Sequence, residues 1–272
     1  MIRIGEISYL NCTPIFSMLR GRFADPDYRF VRGTPAELNQ RLRNGEIDIC
    51  PSSSIEYARN PASYLILPEI SIASTGAVKS VLLFSPLPLE ELNGAEIALT
   101  GESETSVALL KILLACRYSF TNSFRTATGE EQTCIAGCVP LLLIGDRALL
   151  AALARHTGYV YDLGELWFEF TGLPFVFALW LVRRTAVEKE AAAFRLLAKR
   201  LVLAKRFAKA GFAEIAAVTV RPDRISEEFL LDYWQTISYE LDEKHQEGLK
   251  LFFRFAAECG ILLHEPTLRL FV

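Results

Sequence analysis

Four short stretches set hydroxyl and amide side chains where a strand-like run gives way to a helix-like one. "EISYLNCTP" supplies Ser8, Asn11 and Thr13, and "DICPSSSIEY" supplies Ser52, Ser53 and Ser54. "IALTGESETSVALL" supplies Thr100, Ser103, Thr105 and Ser106, and "LLLIGDRALL" supplies Gly145 and Asp146. In an open α/β sheet such junctions lie at the carboxyl ends of strands, where ligands bind. A helix amino terminus has unpaired N–H groups and roughly half a positive charge, so it favours anions. Hydroxyls there add donors without adding a fixed charge. Ser, Thr, Asp and Asn are also the preferred helix caps, so any one cluster has a purely structural explanation. Four in one chain point to a shared anion-binding cleft, without identifying the anion.

Other chemistries find less support. "GESETS" echoes the hydrolase pattern G-x-S-x-G, but threonine replaces its last glycine and a triad needs a histidine. The three histidines are His156, His245 and His264, two of them in the carboxyl-terminal region. Neither a P-loop nor a G-x-G-x-x-G after a strand occurs, so phosphate or dinucleotide cradling is not expected. Lys79 is read as a solvated or carboxylate-pairing lysine rather than a Schiff-base lysine. Six cysteines are scattered without a C-x-x-C pair, and Cys134 and Cys138 have no histidine near them, so no metal site is expected.

The elements that must position these clusters follow a clear order. A chain of 272 residues is comfortable for two lobes. Up to about Leu163, strand-like and helix-like segments alternate, which argues for parallel α/β sheets. "TPAELNQRLRNG" is a complete helix signal, with Thr34 to cap, Pro35 in the first turn and Gly45 to end it. From Thr185 onward the sequence reads almost entirely as helix, and the basic residues of "VEKEAAAFRLLAKRLVLAKRFAKAG" fit the solvated face of an amphipathic helix. No flexible linker is evident, so two lobes must be joined by ordered strands, for which Val78–Ser85 and Phe175–Arg183 are the candidates. A net charge of −3 gives no basic field toward nucleic acid or an anionic membrane. No apolar run approaches the roughly 20 residues of a membrane span. The amino terminus has no features of a secretory signal, so a cytoplasmic setting with free thiols is expected.

Taken in order, "RIGEISYLNCTPIF", "GTPAELNQRLRNGEIDICPSSSIEYA", "LILPEISIASTGAVKSVLLFS", "TGESETSVALLKILL", "LIGDRALL" and "YDLGELWFEFTGLPFVFALW" resemble chorismate dehydratase, the first enzyme of the futalosine route to menaquinone. The likeness runs from Met1 to about Arg183 and continues more loosely through the helical tail. It implies the two-lobed clamshell fold of type II periplasmic solute-binding proteins, with two hinge strands and a helical carboxyl-terminal region. The lobes are expected at 1–85 plus 178–272 and at 86–177. The resemblance also implies loss of water from the dianion chorismate, giving 3-[(1-carboxyvinyl)oxy]benzoate, with no metal or organic cofactor. Asn11 corresponds to the asparagine placed against the reacting ring, and Ser80 to a serine that contacts substrate. Ser52, Ser53, Thr105 and Ser106, with nearby backbone N–H groups, are then the expected carboxylate contacts, and Gly145 and Asp146 belong to the same substrate-binding set. Cys12 stands where the family leads one to expect an aliphatic residue, and is read as a core thiol. The nearest rival is the sister enzyme that makes 1,4-dihydroxy-6-naphthoate on the same fold. A rival of another class is a non-catalytic receptor for an anionic solute.

Overall fold

Ile2, Ile4 and Ile7 are all buried in the first strand, β1 (Ile2–Ile7), and begin an alternation of strands and helices. The computed structural model describes residues 1–127, 139–154 and 158–272. After β1 come α1 (Thr13–Arg20), β2 (Tyr28–Gly33), α2 (Pro35–Asn44), β3 (Ile49–Ser53), α3 (Ser54–Arg59) and β4 (Tyr64–Ser74). A second series follows: β5 (Val81–Ser85), β6 (Glu96–Leu99), α4 (Glu104–Ile112), β7 (Ser123–Thr126), β8 (Leu141–Ile144), α5 (Gly145–Leu153), β9 (Tyr159–Asp162) and α6 (Leu163–Thr171). The strand β10 (Phe175–Arg183) then leads into helices α7 (Arg184–Ala210), α8 (Phe212–Val218), α9 (Glu227–Thr236) and α10 (Glu243–Glu258).

Two five-stranded sheets result, in the orders β2-β1-β3-β10-β4 and β7-β6-β8-β5-β9. The βα units pair in parallel, β1 with β2 and β3, and β6 with β7 and β8. The sheets are nonetheless mixed, where alternation alone had argued for parallel ones. β10 runs antiparallel to β3 and β4, and β5 antiparallel to β8 and β9. Each of these two strands enters its sheet from the other lobe, so it arrives in the opposite direction. By pairing, β5 lies in the second sheet and all of β10 in the first, so the chain crosses at residues 75–80 and 172–174. The expected lobe boundaries had grouped Val81–Ser85 with the first lobe and Phe175–Phe177 with the second.

Local signals account for the elements that matter to the cleft. Thr34 caps α2 in a reciprocal capping box with Glu37, and Gly45 closes the helix in the left-handed region at φ 77°. α1 begins with Pro14 in its first turn. The helix α4 is α-helical only to Ile112 and then widens into a π turn over Leu113–Arg117. In α7, Phe194, Leu197, Leu201, Ala204 and Ala208 form the buried stripe that period 3.6 requires, with a break at Glu190. Lys205 departs from the solvated face expected of that helix: it is buried, and its ammonium reaches Glu240 and the Glu69 carbonyl.

The first crossing carries unusual backbone. Lys79 sits at φ 63°, a conformation costly for a residue with a Cβ. What holds it is the Asp162 carboxylate, which accepts from the N–H groups of Val78 (3.0 Å) and Lys79 (2.6 Å) and also caps α6 through Gly164 and Glu165. Burial pushes the Asp162 carboxyl upward in pKa, against four N–H bonds that favour its ionised form. Asp162→Ala strips all four donors of their acceptor and is expected to lower stability by about 2–4 kcal/mol. Asp162→Asn, which keeps an acceptor oxygen, should lose clearly less. Urea unfolding of the two variants checks the order, and an alanine variant with the wild-type midpoint would contradict it.

Candidate active site

The carboxyl ends of β1, β3 and β8 and the amino end of α4 converge on one narrow cleft between the lobes, with a cavity volume of about 60 Å³. Its walls include Tyr9, Asn11, Ser53, Ser80, Ser103, Ser106, Gly145 and Phe177. No lining side chain carries a charge. An anion enclosed here must be met by hydroxyls, amides, backbone N–H groups and helix termini.

Asn11 is fixed by the chain's far end. The Trp234 indole donates to the Leu10 carbonyl at 2.8 Å, and the Tyr239 hydroxyl donates to the Asn11 carbonyl at 2.6 Å. The Asn11 backbone is thus pinned, while its Oδ1 is buried and has no hydrogen-bond partner. Ser80 follows the strained Lys79, and its carbonyl accepts from the Gly145 N–H at 2.8 Å. Its hydroxyl makes one long contact, 3.4 Å to the Val78 carbonyl. Behind it the Tyr233 hydroxyl, fully buried, also lacks a partner at hydrogen-bonding geometry but lies near enough to Ser80 to influence its proton affinity. Buried polar atoms are nearly always paired. Three of the unpaired ones among the described residues belong to Asn11, Tyr233 and Asn39, and Asn39 bonds the cleft residue Ser53. Asn11 lines the cleft, while Tyr233 and Asn39 stand behind its lining residues Ser80 and Ser53.

The expected site residues divide cleanly. Asn11, Ser80, Ser53, Ser106 and Gly145 line the cleft together. Ser52, one residue along β3, points to the other face and meets the Cys50 thiol at 3.0 Å. Thr105 is buried between the lobes: its Oγ1 accepts from the Ile55 N–H at 3.1 Å and lies 3.3 Å from the Ser54 hydroxyl. Asp146 faces a neighbouring cleft bordered by Glu6, Arg20 and Arg32, and accepts from the Leu10 N–H at 3.0 Å. Capping also sorts the serines. Ser103 caps α4 through the Ser106 N–H, whereas Ser53, at the N-cap position of α3, makes no capping bond. Sequence reasoning missed Tyr9, Asn39, Tyr233, Trp234 and Tyr239. Tyr9 and Asn39 lay inside singled-out motifs, Asn39 in the helix signal "TPAELNQRLRNG".

Other candidates resolve as structural. Cys12 is a buried thiol whose pKa burial pushes up. Lys79 pairs with Asp232. His245 stands in line with Ser238 (3.0 Å) and Asp242 (2.7 Å), yet Asp242 caps α10 and Ser238 Oγ accepts the Glu240 N–H, so the row serves a helix start away from the cleft. His156, Cys134 and Cys138 lie outside the described residues. Among the described residues no group of three or more His, Cys, Asp or Glu side chains could hold a metal ion. No helix of the described residues is long and apolar enough to cross a membrane.

The lobes are closed by a short set of contacts. The Tyr9 hydroxyl donates to Glu102 at 2.8 Å, and the Tyr9 ring lies where a Cβ on Gly145 would sit 2.9 Å from it. Gly145, at φ 60°, therefore has two reasons to be glycine. The Leu10–Asp146 bond adds a second clasp, and burial lifts the Asp146 pKa to about 6. A carboxyl raised in the folded state penalises that state once ionised. Its cost is absent below the ordinary carboxylate pKa, grows as pH rises toward about 6, and is constant above. Asp146→Asn keeps an acceptor for Leu10 and loses the charge. The melting temperature of the variant relative to wild type should rise between about pH 4 and pH 6 and then level off. A difference that does not vary with pH contradicts this.

Comparison with known proteins agrees with this architecture. Residues 2–258 match the menaquinone biosynthesis family. The chorismate dehydratase of Thermus thermophilus is 35% identical over 264 residues, covering 92% of this chain and 93% of that protein. The chorismate dehydratase of Campylobacter jejuni is 32% identical over 201 residues, 72% of each. Among solved structures, an Archaeoglobus fulgidus protein superposes with a TM-score of 0.72 at 18% identity, covering 96% of this chain and 98% of that one. The alkanesulfonate-binding protein of Xanthomonas axonopodis, bound to MOPS, gives 0.67 at 15% identity, with 99% and 96% coverage. These structural likenesses extend the two-lobed periplasmic-binding-protein fold to this molecule, and the sequence relatives narrow it further: the chain belongs to the chorismate dehydratase family of menaquinone biosynthesis.

Proposed function

We propose that the cleft dehydrates chorismate to 3-[(1-carboxyvinyl)oxy]benzoate, and that it does so by positioning and dipolar stabilisation. The observation that carries this reading is the charge-free wall shared by Asn11, Ser80, Ser53 and Ser106. Chorismate has two carboxylates and one hydroxyl. The proton to be lost sits on the ring carbon bearing the ether, where the ring carboxylate activates it vinylogously. Its removal gives a dienolate-like carbanion, and expulsion of the neighbouring hydroxyl yields an aromatic ring. Aromatisation supplies the driving force, so the protein's task is to hold both carboxylates, support charge developing on one, and exclude water.

Asn11 is not a base, because its amide is uncharged near neutrality. Its unpaired Oδ1 is an acceptor, and the only donor on the substrate dianion is the ring hydroxyl. Asn11 therefore orients the leaving hydroxyl. Ser80, across the same cleft, donates to the oxygen on which negative charge grows. With no charged side chain and no imidazole in the lining, proton removal falls to the enolpyruvyl carboxylate or to a water molecule. Thr105 and Asp146 act on closure: each ties one lobe to the other. The reaction is assigned to the cytoplasm, where the free thiols Cys12, Cys50, Cys116 and Cys259 stay reduced.

Purified protein mixed with chorismate should yield a species lighter by one water, followed by mass spectrometry. A receptor would bind chorismate and return it unchanged. Asn11→Ala removes the acceptor that orients the leaving hydroxyl and should lower kcat/KM by about 10-fold or more. Near-full turnover in Asn11→Asp with a new acidic limb in the pH profile would instead mean direct proton transfer at this position.

A further inference from the structure

Ser53 occupies the N-cap position of a helix it does not cap. Its hydroxyl instead accepts from the Asn39 side chain, Nδ2 to Oγ, at 3.2 Å. Both residues are buried, Asn39 at 2% exposure and Ser53 at 5%. Asn39 lies on α2, a helix whose remaining buried side chains are Pro35, Leu38 and Leu42. An asparagine among them is costly, and the cost is aggravated because its Oδ1 finds no partner. The reverse amide orientation would leave the NH2 group, with its two donors, in the unpartnered position.

A hydroxyl has one proton to donate. With the amide N–H directed at its oxygen, the Ser53 proton is turned away from Asn39, and no other hydrogen bond of this hydroxyl occurs among the described residues. The remaining direction is the cleft that Ser53 lines. We propose that Asn39 is a positioning residue that polarises Ser53 as an outward donor to a substrate carboxylate. In a cleft without cations, the direction of each hydroxyl decides whether it attracts or repels an anion. A serine free to rotate offers its lone pairs about as readily as its proton. The buried amide removes that choice before substrate arrives, which is preorganisation of a neutral anion site. This inference rests on the proposed chorismate reading for the identity of the anion, but not for the outward direction of the Ser53 proton.

The contact is to a group that keeps its charge, so it acts on binding more than on the chemical step. Asn39→Ala and Ser53→Ala should each raise KM for chorismate about 10-fold or more, with kcat changed by less than about 3-fold. In the double variant the two losses should not multiply: removing Asn39 once Ser53 is gone should change KM by less than about 2-fold. Asn39→Asp, which can only accept when ionised, should capture the Ser53 proton and raise KM further than alanine does. Calorimetric binding of benzoate, which requires no turnover, should follow the same order. Wild-type protein that binds benzoate with this pattern but leaves chorismate intact would sink the dehydratase reading and keep the inference. Multiplicative losses in the double variant, an unchanged KM in Asn39→Asp, or an effect confined to melting temperature would overturn it. If Asn39→Ala does not fold, Asn39→Ser, which retains a donor of smaller volume, takes its place in the cycle.

Discussion

An enclosed carboxylate that has no cationic partner must be solvated by dipoles already in place. Transfer of an ion from water into a protein interior costs several kcal/mol even after relaxation. Lysine or arginine would repay this by charge pairing. Hydroxyls and helix amino termini bind more weakly and respond to charge as it builds. The cleft follows the second course: its wall is made of Asn11, Ser53, Ser80, Ser103 and Ser106, while Arg20, Arg32 and Glu6 are kept together in the adjoining cleft outside it.

Such a wall works only when water is excluded, so the interlobe contacts belong to the same constraint. Tyr9 closes over Gly145, which has no Cβ to obstruct it, and reaches Glu102. Leu10 meets Asp146, and Thr105 receives the first turn of α3. Asn11 lies beside two of these contacts and is held from behind by Trp234 and Tyr239. The helical tail thus supports the site: it fixes the loop that ties the lobes together and carries Asn11. Two-lobed receptors close on their ligands in the same hinged way.

Several parts of this arrangement were legible in the residues. Thr34, Pro35 and Gly45 delimit α2 by chemistry that acts within a few positions, and the polar clusters sit where apolar periodicity changes from strand to helix. Strand alternation could have separated Ser53 from Ser52, since neighbours on β3 face opposite ways, but which face met the cleft depended on β10 lying against β3. Thr105 and Ser106 are neighbours on a helix about 100° apart, and only the packing of α3 on α4 decides which of them sees the cleft. The pins on Asn11 come from residues more than 220 positions away, and the Asn39 contact is a property of helix-on-sheet packing, so neither leaves a periodic trace. The strands that follow the two crossings were visible as apolar runs, but the crossings themselves, at residues 75–80 and 172–174, lie just before them. The antiparallel direction of these strands was not visible, because it follows from passing between lobes.

The most direct measurement is a crystal structure of the protein with its aromatic product, 3-[(1-carboxyvinyl)oxy]benzoate. The account predicts both carboxylates inside the closed cleft, within about 3.2 Å of serine hydroxyls and backbone N–H groups and with no lysine or arginine beside them. Product seated instead in the neighbouring cleft against Arg20 and Arg32, or drawing a cation into the lining, would contradict it.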